Sequence, residues 1–141
     1  MANLPTAENS DCKPVGRPVP MLVISGTKDP INPYEGGEVD VYGESRGAVQ
    51  STLASARYWA ELAGHSGEGE LRQWPQTAPD DGTSLESRRW ESPDQPPVVL
   101  ISVVGGGHTF PNPVFAAPRI LGASSHEADA AELIWAFFDQ L

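Results

Sequence analysis

The fold turns on the stretch Val98-Val99-Leu100-Ile101-Ser102-Val103-Val104-Gly105-Gly106-Gly107-His108. From Val98 to Val104 the residues are apolar almost without interruption, not alternating as in a half-buried strand. Such a run predicts a strand covered on both faces, the habit of parallel sheets. It stops abruptly at three glycines and a histidine. Glycines permit backbone angles that hold an imidazole out over a site. In open α/β sheets ligands gather at the carboxyl ends of the strands, and His108 falls at such an end. A histidine there can take a proton from a nucleophile and return it to a leaving group. The plain alternative is a loop histidine packed by Phe110 and the neighbouring prolines.

Upstream, Val19 to Ser25 is the other buried-strand candidate, with Met21, Leu22, Val23 and Ile24 at its centre and Gly26 as its end. A loop rich in proline and glycine is expected from there to Gly47. Leu53, Ala56, Trp59, Ala60 and Ala63 recur at helical spacing, predicting a helix over 51–63 stopped by Gly64. Residues 65–97 are polar and read as mostly loop, with one short strand near Leu71 to Trp74. Thr109 to Ala123 holds three prolines and reads as loop. A last helix is expected over 125–140. Ser124 and Glu127 make a capping-box pattern, and Ala131, Ile134, Trp135, Phe138 and Leu141 form a face that needs a sheet to cover it. The order strand, helix, strand, helix implies α/β architecture, though two strands are too few for a complete sheet. Residues 1–17 form an irregular lead-in, and residues 18–141 the domain proper.

Composition bounds the function. The chain has 141 residues, 39% hydrophobic, with a formal net charge of -10. That balance supports a core and disfavours nucleic acid and anionic membrane surfaces, which repel an acidic protein. No apolar run reaches the roughly 18 residues of a membrane span. The polar start, Met1 to Ser10, lacks the apolar centre of a signal peptide, so either the chain is cytoplasmic or a further segment precedes Met1. Cys12 is the lone cysteine and reads as an inert thiol or one paired outside this chain. His65, His108 and His126 are far apart, Asp80 and Asp81 lack calcium-loop spacing, and no dinucleotide or phosphate loop is present. No metal and no cofactor is expected. Trp59, Trp74, Trp90 and Trp135 read as packing residues rather than a carbohydrate platform.

Asp29, in Gly26-Thr27-Lys28-Asp29, lies just past the first buried strand. A carboxylate there can accept Nδ1–H of a histidine, fix its tautomer and stabilise the imidazolium. It could equally be a turn-forming aspartate bonded to its own backbone. The order Asp29 then His108, each after a candidate parallel strand, matches the last two members of the α/β-hydrolase order Ser, Asp, His.

Several motifs then point the same way. Gly26-Thr27-Lys28-Asp29 with Pro33-Tyr34-Glu35-Gly36-Gly37, then Arg57-Tyr58-Trp59-Ala60, Asp81-Gly82-Thr83, Gly105-Gly106-Gly107-His108-Thr109-Phe110-Pro111, and Ala128-Asp129-Ala130 through Ile134-Trp135-Ala136-Phe137-Phe138 occur in this order. Together they resemble the C-terminal part of the polyhydroxybutyrate depolymerase/feruloyl esterase-like family of α/β-hydrolase serine esterases, over residues 12–139. The resemblance implies parallel strands flanked by helices, a carboxylic ester hydrolase, and a Ser-His-Asp triad of which this chain carries Asp29 and His108. It implies an ester or polyester substrate, with Phe110 and Tyr34 as candidate substrate contacts. The family is often secreted. Phe110 stands where the family commonly has tryptophan, and Asn112 where it has glycine. The N-terminal strands, oxyanion loop and nucleophile elbow have no counterpart in this chain.

Gly43-Glu44-Ser45-Arg46-Gly47 matches G-x-S-x-G and precedes a helix, the context of a nucleophile elbow. Yet Ser45 follows Asp29, which breaks the order, and Val39-Asp40-Val41-Tyr42 is a poor buried strand. Ser45 is therefore the weaker nucleophile candidate, and the chain alone is expected to be inactive. The rival reading is a non-catalytic α/β fragment or a partner-binding subunit, whose incomplete sheet would self-associate or pair with a missing N-terminal half.

Overall fold

A computed structural model describes residues 3–11, 17–41, 43–78 and 81–141. Met1, the thiol of Cys12, Tyr42 and Asp80 lie outside the described residues. The main sheet holds β1 (Met21–Gly26), β6 (Gln95–Val104), β5 (Ser84–Ser92) and β4 (Glu70–Gln73), in that spatial order. A separate two-stranded sheet pairs β2 (Gly37–Val41) with β3 (Glu44–Val49). Helices α1 (Thr52–Leu62) and α2 (Ala130–Asp139) complete a mixed α/β fold.

The two apolar runs are neighbours and parallel, in the register Met21↔Val98 through Gly26↔Val103. Side chains of a strand alternate between faces, so each strand feeds two cores. On one face Ile24, Val99, Ile101 and Val103 join Leu85, with Leu22 packed against them. On the other, Val98 and Leu100 join Trp90, with Met21 and Val23 alongside. Burial on both faces accounts for the lack of alternation in the sequence.

Helix α1 covers the second face. The Ser51 hydroxyl accepts the N–H of Ala54 and caps it. Ala56, Ala60 and Ala63 lie in the core beneath it, and their small side chains let the helix sit close to the sheet. Gly64 follows at φ +90°, the left-handed turn that commonly ends a helix.

Four expectations need correction. First, the sheet is mixed: β5 runs antiparallel to β6, and β4 antiparallel to β5. Second, residues 65–97 are not mostly loop, because β5 spans nine residues there. Its side chains are largely polar (Ser84, Glu86, Ser87, Arg88, Arg89), and it is held as a strand by its ladder to β6 through a two-residue turn after Ser92. Third, the stretch up to Gly47 contains the β2–β3 hairpin, whose exposure leaves no apolar pattern to read.

Fourth, α2 begins at Ala130, capped by Asp129, whose carboxylate accepts the N–H groups of Ala131 and Glu132. The capping box fails because Glu127 instead accepts the N–H groups of Thr77 and Ala78. The buried face also differs. Ala130, Leu133 and Phe137 pack on the sheet, while Ile134, Trp135, Phe138 and Leu141 are exposed. The helix is apolar nearly all round, so periodicity alone could not choose its inner side.

Trp59, Trp74 and Trp90 pack into the two cores. Trp74 donates its indole N–H to Ser87 and Trp90 donates to the carbonyl of Gly67. Trp135 is 73% exposed. The lead-in is tied down where it is described. Leu4 donates its N–H to the Ser55 hydroxyl, Thr6 N–H reaches the Ala48 carbonyl, and the Asn3 side chain bonds Pro33 and Thr52.

Candidate active site

Parallel pairing of β1 with β6 brings two loops out of the same end of the sheet. The loop after β1 carries Asp29, and the loop after β6 carries His108. They are laced together by backbone groups. Lys28 N–H donates to the Gly106 carbonyl and Thr27 N–H to the Val103 carbonyl. Gly105 N–H donates to the Thr27 hydroxyl at 2.8 Å. From behind, Gly107 N–H is held by the Ala123 carbonyl and His108 N–H by that of Leu121.

This lacing explains the glycines better than turn geometry alone. A Cβ on Gly26 would lie 2.3 Å from the Gly107 carbonyl oxygen, and one on Gly107 would lie 2.1 Å from that of Leu121. Both neighbours are backbone, so neither can step aside cheaply.

The Nδ1 of His108 lies 2.7 Å from Oδ2 of Asp29. The aspartate side chain is fully buried, whereas that of the histidine is 30% exposed. Oδ1 of Asp29 accepts the N–H groups of Ile31 and Asn32, each at 2.8 Å. The turn-forming reading and the histidine-orienting reading therefore hold together, one on each oxygen. An ionised carboxylate only accepts hydrogen bonds, so Nδ1 carries the proton of a neutral His108. That leaves Nε2 as the basic nitrogen.

The other candidates fall in different places. Tyr34 turns its hydroxyl to Ser102 Oγ at 2.6 Å. Burial, more than anything else around it, raises the phenol above its ordinary range. Phe110 is half exposed and lines a groove of about 410 Å³ with Pro111, Phe115, Ala130 and Ile134. Asn112 shapes this groove, its side-chain carbonyl accepting the N–H groups of Val114 and Phe115. Ser45 is exposed on β3, in the separate hairpin, where its hydroxyl meets Glu38 and accepts the N–H of Gly47. Its strand pairs antiparallel with β2, not the strand–turn–helix setting of an elbow. His65 and His126 each meet a backbone carbonyl, that of Pro96 and of Asn112.

Two residues inside the quoted motifs, Thr27 and Asp81, have supporting roles that the sequence did not disclose. Thr27 ties the two loops, and the signal was its place in Gly26-Thr27-Lys28-Asp29. Asp81 accepts the hydroxyl and N–H of Thr83 and the N–H of His126, joining the start of β5 to the approach of α2. Burial works to raise its pKa, but those hydrogen bonds outweigh it and hold the carboxyl below its ordinary value. Ser25 Oγ, in β1, and Asn32 Nδ2, in the loop that carries Asp29, are buried and have no hydrogen-bond partner among the described residues.

The chain is 30% identical over 131 residues to "Putative esterase NocK" of Nocardia uniformis subsp. tsuyamanensis. The match covers 87% of this chain but only 38% of that protein. No protein-family model matches the chain, and no solved structure matches it.

Proposed function

We propose that this chain is the acid- and base-bearing part of a carboxylic ester hydrolase of the polyhydroxybutyrate depolymerase/feruloyl esterase-like type, in an α/β-hydrolase setting. The observation that carries the reading is the 2.7 Å contact between a buried Asp29 carboxylate and a half-open His108 imidazole. The Nocardia protein's description as an esterase supports the same reaction class.

In this reading Asp29 holds His108 in the tautomer with its proton on Nδ1. Nε2 takes the proton of a serine hydroxyl as that oxygen attacks the ester carbonyl, and then gives it to the leaving alcohol. In the second half-reaction Nε2 takes a proton from water as the water oxygen attacks the acyl carbonyl, and then returns it to the serine oxygen as the bond between serine and acyl carbon breaks and the acid leaves. The serine and the oxyanion donors come from a segment outside this sequence. Phe110 offers the substrate an apolar surface. Tyr34, tied to Ser102, shapes the acid loop from within.

The test uses a short p-nitrophenyl ester. The isolated chain should hydrolyse it no faster than a His108→Ala control. Fused behind a serine-bearing segment of an esterase of this type, it should gain turnover. That turnover should fall by at least about a thousandfold in His108→Ala, and by less in Asp29→Ala. Turnover in the fusion that ignores His108 would sink the assignment.

A further inference from the structure

We infer that Asn3 and Thr52 are positioning residues for the pair of Asp29 and His108. The Asn3 amide, held by the Thr52 hydroxyl, fixes the Pro33 carbonyl and with it the backbone that grips the Asp29 carboxylate. This rests on the esterase reading only in giving the positioning a use; the effect on the pair itself is read without turnover.

The grip on Asp29 comes from the chain that follows it. Oδ1 accepts the N–H groups of Ile31 and Asn32, so the carboxylate is held no more firmly than the backbone at those two residues. Upstream, the loop is tied to the histidine loop through Thr27 and Lys28. Downstream, residues 33–36 are held by three other elements. Asn3 Nδ2 donates to the Pro33 carbonyl at 3.0 Å. The Thr52 N–H, at the start of α1, donates to the Tyr34 carbonyl at 2.8 Å. The Tyr34 hydroxyl meets Ser102 of β6.

Gly36 N–H closes back on the same Pro33 carbonyl at 3.0 Å. A Cβ on Gly36 would lie 2.8 Å from the Ser51 nitrogen, so this turn leans directly on the entry to α1. Proline fixes its own φ. Less of any shift of the Pro33 carbonyl is therefore taken up at residue 33, and more passes back to Asn32 and Ile31.

Asn3 is not needed to attach its own segment. Leu4 N–H bonds the Ser55 hydroxyl, Gln50 N–H bonds the Leu4 carbonyl, and Thr6 N–H bonds the Ala48 carbonyl. Yet Asn3 is only 9% exposed and Thr52 is fully buried, and burying polar groups is costly unless they are hydrogen-bonded. Both ends of the Asn3 amide are used. A carbonyl only accepts, so the NH₂ must face Pro33 and Oδ1 must face the Thr52 hydroxyl, which donates to it at 2.8 Å. The hydroxyl thereby sets the direction of the amide, and the amide sets the loop.

The experiment follows the Nδ1 proton of His108 by NMR in the full chain, with each variant checked for native circular dichroism. In Asn3→Ala and in Thr52→Val that proton should exchange with water at least about tenfold faster than in the parent, together with the amide protons of Ile31 and Asn32. Thr52→Ser keeps the hydroxyl and should restore the parent rates. Gln50→Ala removes a different bond of the same N-terminal segment, from Gln50 Nε2 to the Pro5 carbonyl at 3.0 Å. It should leave the His108 proton at its parent rate. Unchanged exchange in Asn3→Ala and Thr52→Val would overturn the inference. So would equal acceleration by Gln50→Ala, which would make the segment a mere tether, or a Thr52→Ser variant as fast as Thr52→Val. A serine-supplying fusion without His108-dependent turnover would remove the esterase reading, whereas the exchange rates alone decide the positioning.

Discussion

Asp29 meets the Nδ1 of His108 at 2.7 Å with one carboxylate oxygen and gives the other to the N–H groups of Ile31 and Asn32. The carboxylate is thus fixed by its own turn before the histidine reaches it. The imidazole is aimed by a group that has little freedom to follow it.

Replacing Asp29 by Asn tests that division directly. The amide oxygen can keep the turn, but its NH₂ then faces His108 and must find an acceptor. Nδ1 should lose its proton to Nε2, inverting the tautomer. Ring ¹⁵N shifts of His108 should show the proton on Nδ1 in the parent chain and on Nε2 in Asp29→Asn. Identical tautomers in the two proteins would mean that the contact does not set the proton's position.

Gly107→Ala should damage the site from behind. The new Cβ would lie 2.1 Å from the Leu121 carbonyl oxygen, so the histidine loop must shift. Overpacking of this kind costs about 1–3 kcal/mol. Urea unfolding should show that loss, and the Nδ1 proton of His108 should exchange faster with water.

The two sides of α2 should respond oppositely to truncation. Phe137 packs on the sheet, and Phe137→Ala should cost about 2–3 kcal/mol, less than a fully buried phenylalanine. Trp135 is exposed, and Trp135→Ser should change the stability of the isolated chain by no more than about 0.5 kcal/mol. Equal losses would show that the inner face has been misassigned.

Asp81 gives a pH dependence of known sign. Its folded pKa lies below the ordinary carboxylate value because the bonds from Thr83 and His126 outweigh burial. A depressed folded pKa contributes stability above the unfolded value, about 4, and loses it as pH falls through the folded value. Urea titrations should show the parent chain more stable than Asp81→Asn at pH 6, with the gap closing below about pH 4. A gap constant down to pH 3 would remove Asp81 from the account.

The meeting of Asp29 and His108 in the candidate site was legible because both sit where the sequence is least ambiguous. Two uncharged runs ending in glycine mark the buried parallel strands, and Asp29 and His108 follow them at once. β5 was hidden because its face toward the first core is carried by Leu85 and Ser87 between charged neighbours. Its pairing is dictated by β6, not by its own pattern. The hairpin of β2 and β3 was hidden because it buries little. The inner side of α2 could not be read from a helix with apolar residues all round. The spacing Ser124-to-Glu127 suggested a cap that Asp129 makes instead, since Glu127 is engaged by Thr77 and Ala78.

The pairing of β1 with β6 also has a kinetic consequence. β5 and β6 are joined by a two-residue turn, and β4 pairs with its neighbour β5, so these three strands close short loops. The contact between Asp29 and His108 spans 79 residues, and β1 must cross a comparable length of chain to reach β6. Longer closures cost more entropy and come later. On refolding, the meander of β4, β5 and β6 is expected to form first, with His108 at its end and still unaccompanied. Arrival of β1 brings the carboxylate with it, so the appearance of the Asp29–His108 bond should time the pairing of β1 with β6.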